Sequence, residues 1–152
     1  MKTEAKLAEL GLQLPTAPGP IANYVRAVRV GNLLFVSGHG PTRDGKYLFT
    51  GKLGTDLTVD DGYKAAQLVC LNCLASVREV LGDLDRVKRV VKLLGMVNSA
   101  PDFGHQPEVI NGASDLLVQL YGDSGRHARS AVGMGALPRN IAVEIEMILE
   151  VA

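Results

Sequence analysis

The sequence has no tryptophan, four tyrosines and three phenylalanines in 152 residues. Its core must therefore be mostly aliphatic. It has only two cysteines, too few for the disulfide framework of a small secreted scaffold. It also lacks an excess of either charge, with 16 lysines and arginines set against 16 aspartates and glutamates. Zero net charge gives no global attraction to nucleic acid or to an anionic membrane surface, so either partner would need a local patch. Long apolar runs are missing as well. Nothing approaches the roughly 20 residues needed to cross a bilayer, and the opening Met-Lys-Thr-Glu-Ala-Lys leads into no signal-peptide core. What remains is 47% hydrophobic and 21% charged residues, a balance that argues for a packed core and against disorder. The length suits one domain, residues 1–152, able to bury roughly two-thirds of its unfolded surface. A soluble, cytoplasmic protein without membrane or nucleic-acid partners is the expectation.

The apolar pattern divides the chain into elements. Residues 2–10 have helical spacing and stop at Gly11; Pro15, Pro18, Gly19 and Pro20 then enforce an irregular connector. Two strand-like runs, 24–30 and 33–37, flank a Gly31-Asn32 turn and predict a hairpin. Residues 38–54 carry five glycines and a proline around a short strand-like run at 47–50. Such Gly-rich loops on a rigid scaffold often line binding sites. Thr58 opens the longest helix, with Asp61 at capping-box spacing, and Gly82 closes it. Residues 86–97 read as a strand apolar enough to be central, and 107–121 as a second amphipathic helix ending at Gly122. Two last strands are expected at 127–137 and 141–151, joined at Pro138-Arg139-Asn140 and paired antiparallel. The fold class is α+β, with two helices on one face of a mixed sheet. The other face, bearing Glu144 and small residues such as Ala131, has no further layer in so short a chain, so a second subunit should cover it.

Several motifs dissolve on inspection. Residues 40–46 match the opening of a P-loop through Lys46, but Tyr47 stands where the magnesium-binding hydroxyl belongs and no helix follows. Asp44-Gly45 reads instead as a turn. Asp102-Phe103-Gly104 has no kinase context. Cys70 and Cys73 form a C-x-x-C, yet they fall mid-helix on or beside the apolar stripe and have no further cysteine or nearby histidine to complete a metal site. They read as two small buried thiols, and no metal site is expected. His39, His105 and His127 are widely separated and read as loop or strand-end residues.

The informative cluster lies near the C-terminus. Arg129 sits inside an otherwise apolar strand, where a guanidinium is costly unless it meets an anion; its planar fork suits a carboxylate. Glu144 lies on the next predicted strand. The two could form an internal ion pair across the hairpin, or Arg129 could hold a ligand.

Ala128-Arg129-Ser130, Leu137-Pro138 and Val143-Glu144-Ile145-Glu146 together resemble the C-terminal signature of the RidA/YjgF family of reactive-imine deaminases, also labelled endoribonuclease L-PSP-like. The similarity runs from about residue 20 through Tyr24, Gly31-Asn32, Ser37-Gly38, Asp102-Phe103 and Asn111. The Gly-rich segment 50–54 and the stretch 98–103 match a branch with a longer loop. The resemblance implies a chorismate-mutase-like fold assembled as a homotrimer, with a central β-barrel, helices outside and ligand clefts between subunits. It implies hydrolysis of small 2-imino or enamine acids, such as 2-aminoacrylate, to 2-oxo acids and ammonia, without metal or organic cofactor. Carried over by position, Arg129 binds the substrate carboxylate and Glu144 orients the attacking water. Tyr24, Ser37, Gly38, Asn111 and Ala131 line the cleft. Ala131 stands where the family's deaminases carry cysteine, and His39 where they carry glutamine. The resemblance leaves two alternatives: a non-catalytic or chaperone-like trimer binding small carboxylates, and a ribonuclease, which neutral charge and sparse aromatics disfavour.

Overall fold

A computed structural model describes residues 1–19 and 23–152. The chain runs α1 (Lys2–Glu9), β1 (Ala27–Val30), β2 (Leu33–His39), β3 (Thr42–Arg43), β4 (Lys46–Tyr47), α2 (Val59–Leu81), β5 (Val87–Asn98), α3 (Gln106–Tyr121), β6 (Ala128–Met134) and β7 (Val143–Val151). Local chemistry explains the boundaries. Thr58 and Asp61 exchange both capping-box bonds at the start of α2, and Gly82 takes the left-handed conformation (φ 84°) that ends it. Asp44 and Gly45, both at positive φ, make the tight turn between β3 and β4. Of the strand-like run at 47–50, only Tyr47 belongs to β4, and Thr50 makes an isolated bridge to Ile141. Part of the Pro/Gly connector, residues 20–22, lies outside the described residues.

The main sheet has the order β1-β2-β7-β5-β6. It is mixed: β6 pairs parallel with β5, and every other pair is antiparallel. The predicted hairpin between the last two strands does not form. β5 lies between them, because α3 carries the chain from β5 back to a parallel partner, as a parallel pair requires. The residues after β6 then step across to the slot between β2 and β5. That step passes through a tight turn at Pro138–Asn140, where Arg139 and Asn140 both adopt positive φ. Both last strands are accordingly shorter than expected, ending at Met134 and beginning at Val143.

Helices α2 and α3 cover one face, α2 over β2 and β7, α3 over β5 and β6. Val143, Ile145, Met147, Leu149 and Val151 of β7 are buried beneath them, while Glu144, Glu146, Ile148 and Glu150 turn the other way. The core is aliphatic, with Leu74, Leu93, Leu116, Leu117 and Ile145 among its fully buried members. Two glycines allow close approach: a Cβ on Gly112 would lie 2.0 Å from the Tyr63 carbonyl of α2, and one on Gly95 would enter Ile110. On the opposite face no described helix packs, and Val28, Phe35 and Val132 stay 51%, 42% and 38% exposed.

Candidate functional site

The residues singled out in the sequence fall into two groups on opposite faces of the sheet. Arg129 pairs with Leu93, which is buried beneath the helices. Residues directly opposite in paired strands project from the same face, so Arg129 points to the helix-bearing side. There its Nη1 donates to Asn111 Oδ1 at 2.7 Å and to Ser114 Oγ at 3.1 Å. Asn111 and Ser114 are three apart on α3 and therefore share one helix face. Ala131 pairs with Gly95 and follows Arg129 on the helix-bearing side, not on the uncovered face with Glu144 as the sequence suggested, because β6 pairs with β5 rather than with β7. Glu144 pairs with Met96, an odd number of residues along β5 from Leu93, and so leaves the sheet on the uncovered side. The internal Arg129–Glu144 pair is ruled out by this geometry. Among the described residues neither side chain makes an ion pair.

The second group lines a cavity of about 530 Å³ containing Tyr24, Ser37, Gly38 and Glu144. A bulge in β2 between Val36 and His39 shapes it. Gly38 lies directly against the Glu144 carboxyl: a Cβ there would stand 2.5 Å from Oε2. Ser37 donates its hydroxyl to the Val25 carbonyl at 2.6 Å, so the serine braces the cavity wall. Partial burial, with Glu146 nearby as a second cause, raises the pKa of Glu144 above the ordinary carboxyl value. A raised pKa in a cavity suits a group that accepts a proton from water.

His39 also belongs to the cavity lining, with its ring anchored to the protein interior. It is 6% exposed, with Nδ1 2.6 Å from the Ser37 carbonyl and Nε2 2.7 Å from Ser76 Oγ on α2. The carbonyl can only accept, so Nδ1 carries the proton. Burial lowers the pKa and keeps the ring neutral. Asn72, one turn earlier on α2, donates to the carbonyls of Gly40 and Thr42 at 3.0 and 2.8 Å. Together these side chains fasten the bulged segment to the helix layer. The loop at 50–54 is equally tied down: Gly51 N–H donates to Asn140 O, and Lys52 Nζ to Asn98 Oδ1 at 2.8 Å.

Cys70 and Cys73 are fully buried, and desolvation raises the Cys70 thiol to about 12 and Cys73 also well above the usual value. Neither is a nucleophile at neutral pH. Among the described residues no cluster of three or more His, Cys, Asp or Glu side chains could hold a metal. No described helix is long and apolar enough to cross a membrane. Sequence reasoning did not single out Ser114, which accepts from Arg129, or Arg26, Arg139 and Glu146, which also line the cavity. Ser114 carried a signal in its helical spacing from Asn111, and Glu146 in its place within the signature around Glu144.

The model of a family described as "YjgF/chorismate mutase-like, putative endoribonuclease" matches residues 4–151. Protein TCP17 of Trypanosoma cruzi is 47% identical over 150 residues, covering 98% of this chain and 94% of the relative. A 2-iminobutanoate/2-iminopropanoate deaminase of Dermatophagoides farinae is 30% identical, with 91% and 93% covered. The crystal structure of Atu1372 from Agrobacterium tumefaciens, a protein of unknown function, superposes with a TM-score of 0.93 at 48% identity, covering 99% of this chain and 92% of that one.

Proposed function

Because the chain belongs to the YjgF/chorismate mutase-like family, we propose that it is a cytoplasmic enamine/imine deaminase. In this reading it hydrolyses small 2-imino acids such as 2-aminoacrylate, in its imine form, to 2-oxo acids and ammonia, and requires no cofactor. The observation that carries it is the state of Arg129: its guanidinium is oriented by two neutral oxygens and faces no carboxylate among the described residues. A buried-side arginine held this way is prepared for an external anion, and its planar fork fits a carboxylate. The relative named for imine deamination supports the substrate class.

The working unit in this proposal is a homotrimer with its uncovered sheet faces turned inward and a cleft between neighbouring copies. One copy supplies Tyr24, Ser37, Gly38 and Glu144; the next supplies Asn111, Arg129 and Ala131. Support comes from the placement of the two groups on opposite faces of one sheet and from the exposed apolar side chains on the uncovered face. The substrate carboxylate binds Arg129, which fixes C2 beside the cavity of the neighbouring copy. Glu144 takes a proton from a water as the water oxygen bonds to C2, and passes it to the imine nitrogen, giving a carbinolamine with Glu144 again ionised. The carbinolamine hydroxyl proton then moves, through Glu144, to the nitrogen as the C–N bond breaks, releasing ammonia and leaving the 2-oxo acid. The imine carbon is already electrophilic, so positioning, a placed water and proton transfer through one carboxylate suffice.

The test is competition between hydrolysis and semicarbazide trapping of imines generated in situ. The expected result is accelerated 2-oxo acid release that falls roughly 100-fold or more in Arg129→Ala, without loss of the assembly at three times the 16.2 kDa chain mass. Full activity in Arg129→Ala sinks the assignment. Saturable 2-oxo acid binding at Arg129 with no rate acceleration makes the protein a binding trimer instead.

A further inference from the structure

The orientation of Arg129 rests on a chain of hydrogen bonds that reaches beyond Asn111. Nη1 has two hydrogens, and both are committed, to Asn111 Oδ1 at 2.7 Å and Ser114 Oγ at 3.1 Å. Ser114 Oγ lies 2.9 Å from His127 Nε2, and His127 Nδ1 lies 2.7 Å from the Gly125 carbonyl. A carbonyl can only accept, so Nδ1 carries the hydrogen. Burial, helped by the charge of Arg129, lowers the His127 pKa and keeps the ring neutral. Nε2 is then a bare acceptor, and the Ser114 hydroxyl hydrogen points at it. The Ser114 lone pairs are left facing Arg129, which has only donors.

From this forced order we propose that Ser114 and His127 are positioning residues for Arg129. They lock Nη1 against α3 and leave the Nε–Nη2 edge as the fork offered to a ligand carboxylate. The inference rests on the proposed carboxylate-binding role of Arg129. The anchor at the far end is stiff: a Cβ on Gly125 would lie 2.2 Å from the Leu117 carbonyl, so that turn is pressed onto α3. His127 fixes the polarity of the Ser114 hydroxyl, Ser114 and Asn111 fix one guanidinium nitrogen, and the free edge follows from elimination of donors. A lysine in place of Arg129 keeps the charge but has no edge to orient.

The experiment measures affinity for 2-oxobutanoate and kcat/KM in the intact protein. Ser114→Ala should weaken 2-oxobutanoate binding roughly tenfold, the loss expected for one hydrogen bond to a charged group. His127→Phe, which cannot accept from Ser114, should weaken it roughly threefold, and Ser114→Thr should restore most of the affinity. The decisive readout is the cycle with Arg129→Lys, where Ser114→Ala should cost less than about twofold, because there is no fork left to hold. Wild-type affinity in Ser114→Ala, or the same tenfold loss in the lysine background, overturns the positioning role while leaving the deaminase reading in place. Unchanged affinity in Arg129→Ala overturns the deaminase reading itself.

Discussion

Gly38→Ala separates the chemistry of the cavity from the stability of the fold. The new Cβ would stand 2.5 Å from Glu144 Oε2, 3.2 Å from Cδ and 3.4 Å from Cγ. Ordinary contact begins near 3.4 Å, so the carboxyl oxygen must retreat by roughly 0.9 Å while the stem hardly moves. Gly38 is not at positive φ, so alanine adds no backbone strain. Glu144 is half-buried at the cavity wall and can swing toward open space. The stability cost should then be about 1 kcal/mol or less, a Tm change within roughly 4 °C. The catalytic cost is far larger, because displacing a reacting group by about 1 Å can cost on the order of 100-fold. Imine hydrolysis against semicarbazide trapping gives the rate, and thermal unfolding gives the stability. Wild-type turnover in Gly38→Ala refutes the water-directing position assigned to Glu144. Global unfolding refutes the claim that only a side-chain end has to yield.

Further outcomes follow from groups elsewhere in the fold. The Glu144 pKa is raised by burial and by Glu146, so the folded state holds that proton more tightly than the unfolded one. Its contribution favours folding at low pH and turns unfavourable as pH rises through the raised pKa. Glu144→Gln should therefore flatten the acid side of the stability profile while abolishing turnover; an unchanged pH–stability curve refutes the assignment. Gly112→Ala puts a Cβ 2.0 Å from the Tyr63 carbonyl, which forces α2 and α3 apart. About 3 kcal/mol of destabilisation, a Tm drop of roughly 6–12 °C, is expected by thermal unfolding. Asp85 accepts from Lys2 N, Thr3 N and Thr3 Oγ1 at the start of α1, and these bonds hold its pKa well below the usual range. Its stabilisation is present at neutral pH and is lost as pH falls toward that lowered pKa. Asp85→Asn should speed amide exchange in α1 alone; protection equal to wild type contradicts the clamp.

Elements whose determinants are local were legible in the sequence. Thr58, Asp61 and Gly82 bound α2 because caps act within a few residues. The alternation in β7 shows which side chains face the helices because strand periodicity is local too. The continuous apolar run of β5 correctly indicated an interior strand, flanked by β7 and β6. Strand adjacency was different. Pro138-Arg139-Asn140 looks like a hairpin turn, and nothing within ten residues of it reveals that β5, some forty residues upstream, takes the place beside β7. Only the crossover through α3, a property of the whole sheet, decides that. The role of His39 was hidden in the same way, since Ser76, its partner, is far away in sequence.

That single misplaced neighbour changes what Arg129 means. In an antiparallel hairpin, Arg129 and Glu144 could satisfy each other, and their charges would belong to the architecture. With β5 between them and their side chains on opposite faces, neither can neutralise the other within one copy. Each is nevertheless placed with care: Arg129 by three side chains reaching back to the Gly125 turn, Glu144 by a bulge, a glycine and a buried histidine. Orienting side chains costs conformational entropy, and an exposed charge left in water needs no such orientation. The precision is explained if each group completes a site with a second copy, where a carboxylate-bearing ligand meets the arginine of one chain and the glutamate of the next. In the proposed assembly, the apolar face that no described element covers would be the surface that brings the two together.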